Sequence, residues 1–211
     1  DGGRLTPFTT IQKAVDTVTT RPLTVNVAAG VNTGTLVLPG AIAIIGAESG
    51  DAGATVLDGM GAGRVVTLDG TSRTVLKDLA VTSGSLVGSG GGVYLGATGG
   101  ILSLHNVTVR DNRIEGNSSQ GAGIYATNAT VRLVRSTLLR NTNTGVGTYP
   151  IGGGMYCNAT DLRVYDCAIA GNNAPGAQAD GLHARYGRAD IRNTTVAGNS
   201  GQGMSLRELT R

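Results

Sequence analysis

Arginine and tyrosine side chains recur at outward positions in the second half of the sequence, and their chemistry suits the binding of an acidic ligand. The set comprises Arg132, Arg163, Tyr165, Arg188 and Arg192. A guanidinium group binds a carboxylate through two parallel hydrogen bonds, so uronate sugars are suitable ligands. Aspartates such as Asp161 and Asp190 alternate with these arginines, and that pattern also keeps a sheet surface solvated and ion-paired. The sequence alone leaves both interpretations open.

Tyrosines form a second recurring set. The motif Gly-x-Gly-apolar-Tyr ends at Tyr94, Tyr125 and Tyr156, and decayed copies place His183 and Ser205 in the tyrosine position. One aromatic side chain per repeat predicts an outward column, which could offer a flat platform for sugar rings. Tyrosine also suits an exposed strand without any ligand, because it packs well on its neighbours there. The column is therefore a candidate glycan site with a purely structural alternative.

Metal and acid–base chemistry find little support in the sequence. The two histidines, His105 and His183, lie far apart, and no group of His and Cys has the spacing of metal ligands. Asp58, Asp69 and Asp180 each precede a glycine, which is typical of turns. We therefore predict no metal site and no cofactor, and no pair of acids stands out as catalytic.

The two cysteines, Cys157 and Cys167, fall at positions whose side chains the repeat directs inward. A disulfide of an exported protein and two buried thiols both fit this pair. A bridge requires Cα atoms within about 7 Å of each other. The pair is therefore a candidate disulfide.

A nine-residue motif that ends in asparagine is the strongest pattern in the chain. It spans 104–112, 133–141, 164–172 and 191–199, and a weaker copy at 76–84 ends in Gly84. Apolar residues three and eight positions before each asparagine predict side chains that stack in a core, one copy above the next. Asparagine tolerates the left-handed conformation of a corner, and stacked amides hydrogen-bond to one another and to the backbone. We interpret these residues as a structural ladder of Asn112, Asn141, Asn172 and Asn199.

The spacing of the repeats predicts a solenoid. Glycines of the tyrosine motif recur at intervals of 31, 31, 27 and 22 residues from Gly92 onwards. A leucine-rich repeat uses a similar Leu and Asn spacing. In this chain, however, each asparagine is followed by a polar loop of variable length and then by a second short strand. This arrangement favours an all-β fold, a right-handed parallel β-helix of roughly eight coils.

The N-terminal region differs from the rest of the chain. Thr9 and Gln12 have the spacing of a capping box at the start of a short helix. We predict one domain over 1–211, with a capping helix in 1–22, coils in 23–205 and a tail or truncated end in 206–211. The last coil has no recognisable cap, so we expect either self-association or a longer natural chain.

The tyrosine strand followed by a Val-x-x-Asn corner resembles the repeats of bacterial secreted and surface β-helix proteins in the pectate-lyase-like superfamily. Chlamydial polymorphic membrane protein passengers carry a related version. The resemblance covers nearly the whole chain, with departures at Gly84, His183 and Ser205. It implies a structural or adhesive module that binds glycans through its Tyr and Arg residues, or alternatively a polysaccharide lyase, epimerase or hydrolase. In such enzymes Arg or Lys bases and acidic calcium ligands lie on a sheet face, so Ca²⁺ is expected only for the enzyme.

The composition agrees with a soluble, mildly basic protein. The 211 residues carry a formal net charge of +3, and 15% of them are charged. A small positive balance suits an acidic polysaccharide, and we predict no nucleic-acid partner. No apolar run approaches the roughly 18 residues that would indicate a membrane span. We expect a secreted or cell-surface location, with a polysaccharide or another surface protein as partner.

Overall fold

The computed structural model describes residues 7–47, 54–71, 73–146, 151–174 and 179–210. Its elements, in chain order, are α1 (Ile11–Thr17), β1 (Leu23–Asn26), β2 (Gly30–Thr33), β3 (Leu36–Pro39), β4 (Ile42–Ile45), β5 (Thr55–Asp58), β6 (Val66–Asp69), β7 (Arg73–Thr82), β8 (Ser85–Val87), β9 (Val93–Leu95), β10 (Ile101–Arg110), β11 (Arg113–Glu115), β12 (Ile124–Thr127), β13 (Thr130–Val134), β14 (Thr137–Leu139), β15 (Thr142–Asn143), β16 (Met155–Asn158), β17 (Asp161–Tyr165), β18 (Ala168–Ala170), β19 (Leu182–Arg185), β20 (Arg188–Arg192), β21 (Thr195–Ala197) and β22 (Met204–Arg207).

The strands form two long parallel sheets and one short one. Sheet A has the order β1-β4-β7-β10-β13-β17-β20. It also contains β2 and β5, which pair with each other and join the sheet at β7, and β14, β18 and β21, which pair in that order and join it at β10. Sheet B has the order β22-β19-β16-β12-β9-β6-β3, and sheet C consists of β15, β11 and β8. Each strand pairs in parallel with its counterpart one coil away.

This topology confirms the predicted parallel β-helix. The leucine-rich-repeat alternative is wrong, because the chain returns through sheet B after each asparagine. Within the described residues, seven strands stack along the main path of each long sheet. The estimate of roughly eight coils was therefore slightly too high, since it assumed coils of equal length.

Aliphatic side chains stack in columns inside the helix, as the nine-residue motif predicted. Val109, Leu138 and Ile169 occupy one column in register and are fully buried. Burying a side chain of this kind stabilises a protein by about 1.5–3 kcal/mol. In the last layer the inward residues Ile191 and Val196 are only half-buried. Self-association of the chain stays a prediction.

Helix α1 begins one residue later than the sequence indicated. Its N-cap is Thr10, whose hydroxyl accepts a hydrogen bond from the backbone N–H of Lys13 at 3.1 Å. The capping box between Thr9 and Gln12 was therefore wrong. The Gln12 amide instead donates to the carbonyl of Val37 at 3.2 Å and accepts from its N–H at 2.9 Å. Val37 lies on the edge strand β3, so Gln12 satisfies backbone groups at the open edge of sheet B.

The asparagines at the ends of the nine-residue motifs form a hydrogen-bonded ladder. Asn112 Nδ2 donates to Asn141 Oδ1 at 2.9 Å, Asn141 to Asn172 at 3.0 Å, and Asn172 to Asn199 at 3.0 Å. Each acceptor oxygen also receives the backbone N–H of the preceding asparagine. Asn141 also donates to the carbonyl of Val109 at 2.9 Å. The ladder therefore connects successive coils through polar groups that are shielded from water.

Left-handed backbone conformations mark three bends that recur along the helix. The first bend contains Asp78, Asn106, Arg135, Asp166 and Asn193, the second Ser83, Asp111, Arg140, Gly171 and Gly198, and the third Asn128, Ala159, Tyr186 and Glu208, all with positive φ. The positive φ thus falls one residue before each ladder asparagine, not on the asparagine itself as predicted. A non-glycine residue in this conformation costs about 1–2 kcal/mol, and Asn or Asp tolerates it best. Ala159 and Tyr186 gain no such relief.

We expect Asn141→Ala to lower the free energy of unfolding by about 3 kcal/mol, because it removes hydrogen bonds from buried groups of Asn112, Asn172 and Val109. The measurement is chemical denaturation followed by circular dichroism. Asn199→Ala is the control, since Asn199 ends the ladder and is only half-buried. An equal effect of the two substitutions would show that the ladder does not stabilise the core in this way.

We expect Ala159→Gly to leave the free energy of unfolding unchanged or to raise it by up to about 1 kcal/mol, because glycine adopts a φ of 50° without strain. Ala168→Gly, in strand β18, is the matched control and should lower it by about 0.5–1 kcal/mol. Denaturation of the two variants side by side tests the difference. Equal losses in both would contradict the strain at the third bend.

Candidate functional site

The predicted arginines lie at outward positions on strands β13, β17 and β20 of sheet A. Arg132 and Arg163 lie in register on β13 and β17, and Asp190 follows them on β20. Tyr165 lies in the next outward column, in register with Arg192. We call this surface the basic face, and it consists of Arg73, Lys77, His105, Arg132, Asp161, Arg163, Tyr165, Arg188, Asp190 and Arg192. Sheet A therefore brings the predicted arginines together.

Each aspartate of the basic face is bound by an arginine of its own strand. Asp161 lies 2.8 Å from Arg163. Asp190 accepts two hydrogen bonds of 2.8 Å from Arg192 and a third of 2.8 Å from the Tyr165 hydroxyl. The hydrogen bonds from Arg192 and then Tyr165 lower the pKa of Asp190, while the same contact with Asp190 raises the pKa of Tyr165. Asp190 is therefore held as a carboxylate and fixes the tyrosine.

Three arginines on this face have no described carboxylate within ion-pair distance. They are Arg73, Arg132 and Arg188. The excess of positive charge acts on His105. Its pKa is lowered first by burial and then by the charges of Arg132, Arg73, Arg135 and Lys77. No anion contributes to that shift. The basic face therefore retains a positive potential after its internal ion pairs have formed.

The tyrosine positions form a continuous aromatic stack on the outer side of sheet B. Tyr94, Tyr125, Tyr156 and His183 follow one another with ring centroids 5.1, 5.7 and 5.6 Å apart and planes within 13° of parallel. The faces of the rings are covered by their neighbours, and Arg64 lies 4.3 Å from the centroid of Tyr94. Tyr156 and His183 are also buried, each with 1% of its surface exposed. The stack therefore exposes only parts of Tyr94 and Tyr125, whose faces are covered, and not the flat platform that sugar binding would need.

The end of this stack contains an unsatisfied polar atom. His183 Nδ1 is buried and has no hydrogen-bond partner among the described residues. Burial, followed by the charges of Arg185 and Arg207, lowers the pKa of His183 to about 4. The imidazole is therefore neutral at pH 7 and stacks on Tyr156 as an uncharged ring.

The cysteines are free, so the candidate disulfide is absent. Cys157 lies on sheet B in register with Ala126 and Ala184. Cys167 lies at the first bend of sheet A, where its thiol donates to the carbonyl of Tyr165 at 3.1 Å. The two thiols belong to different sheets, and burial raises the pKa of both. They act as small core side chains.

Two residues near the third bend, Tyr186 and Arg207, were not predicted as site residues from the sequence. Tyr186 is 51% exposed at this bend, and Arg207 is exposed on the last strand of sheet B. Neither belongs to the nine-residue motif or to the tyrosine column. The strands before this bend are in register at Thr127, Asn158, Arg185 and Arg207. The residues that follow the first three, Asn128, Ala159 and Tyr186, therefore occupy the same bend in successive layers. Only an alignment of the repeats through their third bend would have found it.

Within the described residues, no group of three or more His, Cys, Asp and Glu side chains could hold a metal ion. The same part of the chain contains no helix that is long and apolar enough to cross a membrane.

Comparison with known proteins assigns the family. The model of the family described as "Right handed beta helix region" matches residues 60–210. The chain belongs to the right-handed β-helix family. This match confirms the right-handed β-helix that the sequence analysis predicted.

Solved structures similar to this β-helix protein include Escherichia coli ybhc, at 13% identity and a TM-score of 0.43 over 93% of this chain and 74% of that chain. A pectin methylesterase from Aspergillus niger is similar at 13% identity and a TM-score of 0.39, over 96% of this chain and 81% of that chain. No curated protein matches the sequence significantly.

The buried histidine of this β-helix predicts a loss of stability in acid. The folded-state pKa of His183 is depressed, so the unfolded chain binds the proton more tightly. The stability that belongs to neutral His183 is complete above about pH 6.5 and is lost as the pH falls towards 4. We expect the wild type to lose about 3 kcal/mol more than His183→Phe between pH 7 and pH 4.

Denaturation of both proteins at a series of pH values measures this difference. The phenylalanine keeps a flat ring in the stack and removes the titrating group. Parallel pH profiles of the two proteins would contradict the assignment of a neutral, desolvated His183.

Proposed function

We propose that this protein is a secreted or cell-surface β-helix module that binds an acidic polysaccharide on its basic face and acts as an adhesive or structural element. The family and the topology establish a parallel β-helix module. The acidic ligand is our inference from the chemistry of that face, and the location is our inference from the resemblance to secreted and surface β-helix proteins.

The observation that carries the proposal is the excess of cations on the basic face. Arg132 and Arg163 stack in register at the inter-strand spacing of about 4.8 Å. Arg132 has no described ion-pair partner, and only one of the two terminal nitrogens of Arg163 engages Asp161. Guanidinium groups in this state can donate two parallel hydrogen bonds to a carboxylate. A chain of uronate or sulfated sugars could therefore meet several donors along one surface.

Tyr165 contributes shape to the same face. The guanidinium carbons of Arg132 and Arg192 lie 5.9 and 5.7 Å from its ring centroid. Together with the hydrogen bond to Asp190, these contacts fix the ring before a ligand arrives. A preorganised side chain loses little entropy on binding, which favours affinity.

We favour binding over catalysis because the carboxylates of this face are already engaged. Asp190 is held by Arg192 and Tyr165, and its lowered pKa makes it unsuitable as a general acid. Asp161 is paired with Arg163. A polysaccharide lyase, epimerase or hydrolase remains the alternative function, and the test below separates the two.

We expect the wild type to bind oligogalacturonate more tightly than a neutral glucan, and we expect Arg132→Ala and Arg163→Ala each to weaken that binding about ten-fold. Binding should also weaken as the salt concentration rises, because exposed charges are screened. Isothermal titration calorimetry measures the affinities, and ultraviolet absorbance detects unsaturated products if the chain is cleaved.

Arg113→Ala is the control variant, because Arg113 is equally exposed but lies on sheet C. Equal binding of acidic and neutral glycans would contradict the proposal, as would equal losses in all three variants. Turnover that Arg163→Ala abolishes would establish the enzyme instead.

A further inference from the structure

Three arginines gather around the third bend in the last two layers. Arg185 and Arg207 lie in register on β19 and β22, on the outer side of sheet B. Arg188 begins β20 on sheet A, only three residues after Arg185. None of the three has a described carboxylate within ion-pair distance. Like charges therefore lie close together here, and Glu208, which follows Arg207 in the chain, forms no ion pair with any of the three.

Tyr186 lies at the centre of this cluster in an unfavourable conformation. Its φ is 55°, which strains a bulky side chain, and 51% of its surface is exposed. The preceding layers place Ala159 and Asn128 at the same bend. Asparagine or glycine would adopt this conformation at lower cost, so the exposed ring is a candidate for a contact outside the chain.

The side chains around Tyr186 are already fixed. The Arg185 guanidinium carbon lies 5.2 Å from the Tyr186 centroid and 5.7 Å from that of Tyr156, and Arg185 Nε donates to Asn158 Oδ1 at 3.3 Å. Arg207 Nε donates to Ser205 Oγ at 3.3 Å. Both arginines keep terminal N–H groups for a ligand. Buried His183, with its unpartnered Nδ1, occupies the neighbouring outward position of the same strand as Arg185.

We propose that Arg185, Tyr186 and Arg207 form a subsite for an anionic sugar, in which the exposed ring packs against the sugar and the two guanidinium groups bind its carboxylate or sulfate. Arg188 connects this subsite to the basic face around the bend. The subsite deepens the proposed function and rests on it, because one acidic chain would run from the basic face over Arg188 to Tyr186. Such packing uses the apolar body of the tyrosine, and the charge-assisted hydrogen bonds set the preference for an anion.

The two histidines of the chain report on the two surfaces separately. His105 senses Arg132 on the basic face, and His183 senses Arg185 and Arg207 at the bend. An anion bound beside either group of arginines offsets their charge and raises the pKa of the nearby histidine. Nuclear magnetic resonance titration of both imidazoles therefore shows which surface is occupied. A sulfated oligosaccharide is the probe, since sulfate esters stay ionised at the low pH where His183 titrates.

In the wild type we expect a saturating sulfated oligosaccharide to raise the pKa of both histidines, by about 1 for His183. In Arg207→Ala the ligand-induced rise should be lost for His183 and kept for His105. Oligogalacturonate binding at pH 7 tests the carboxylate arm, and Arg207→Ala should weaken it about ten-fold.

Tyr186→Gly removes the ring and also relieves the strained bend, so the variant should fold. We expect it to bind both probes about five-fold more weakly than the wild type. Ala159→Gly is the matched control, because it makes the same backbone change one layer earlier without removing a ring. Its affinity should equal that of the wild type.

The outcomes separate the two proposals. A rise for His105 alone, with unchanged affinity in Tyr186→Gly and Arg207→Ala, would overturn the subsite and leave the basic face intact. Binding of neither probe would overturn the proposed function and the subsite together. A rise for His183 alone would place the ligand at the bend and overturn the role of the basic face.

Discussion

Parallel hydrogen bonding between successive coils is the constraint on which the rest of this structure depends. Each strand pairs in register with its counterpart one layer away, so equivalent residues are held about 4.8 Å apart whatever their chemistry. A residue type that is repeated in the sequence becomes a column in space. The properties of the molecule therefore follow from how each kind of side chain tolerates a copy of itself at that distance.

The asparagine, tyrosine and arginine columns differ in whether their stacked side chains can satisfy one another. Asparagine amides donate and accept at once, so Asn112, Asn141 and Asn172 satisfy one another in a buried site. Tyrosine rings cover each other's faces, which closes the stack on sheet B to ligands. Arginines only donate, and a column such as Arg132 and Arg163 cannot satisfy itself. Stacked arginines thus need aspartates or an external anion, and the described aspartates are too few for all of them.

The sequence could predict what depends on periodicity. Inward positions such as Val109 and Leu138, and the ladder formed by Asn141, follow from spacing and residue type alone. Conformations at the bends do not: the left-handed residue is Arg140, not Asn141, because the chain turns one residue earlier than the asparagine suggested. The alternation of inward and outward residues also does not determine how a ring is oriented. The outward position of Tyr125 could therefore be predicted, but not the stacking that covers both faces of its ring. The Gln12 contact with Val37 joins distant segments, and no local pattern encodes it.

Backbone strain is distributed unequally along the second and third bends. The second bend relaxes to glycine at Gly171 and Gly198, which carry the positive φ without cost. The third bend does the opposite, since it passes from Asn128 to Ala159, Tyr186 and Glu208, which fit a positive φ less well than asparagine. Stability alone would favour glycine or asparagine in every layer. A bulky exposed ring kept there, between arginines that have no described anionic partner, is better explained by what it contacts outside the chain than by what it does for the fold.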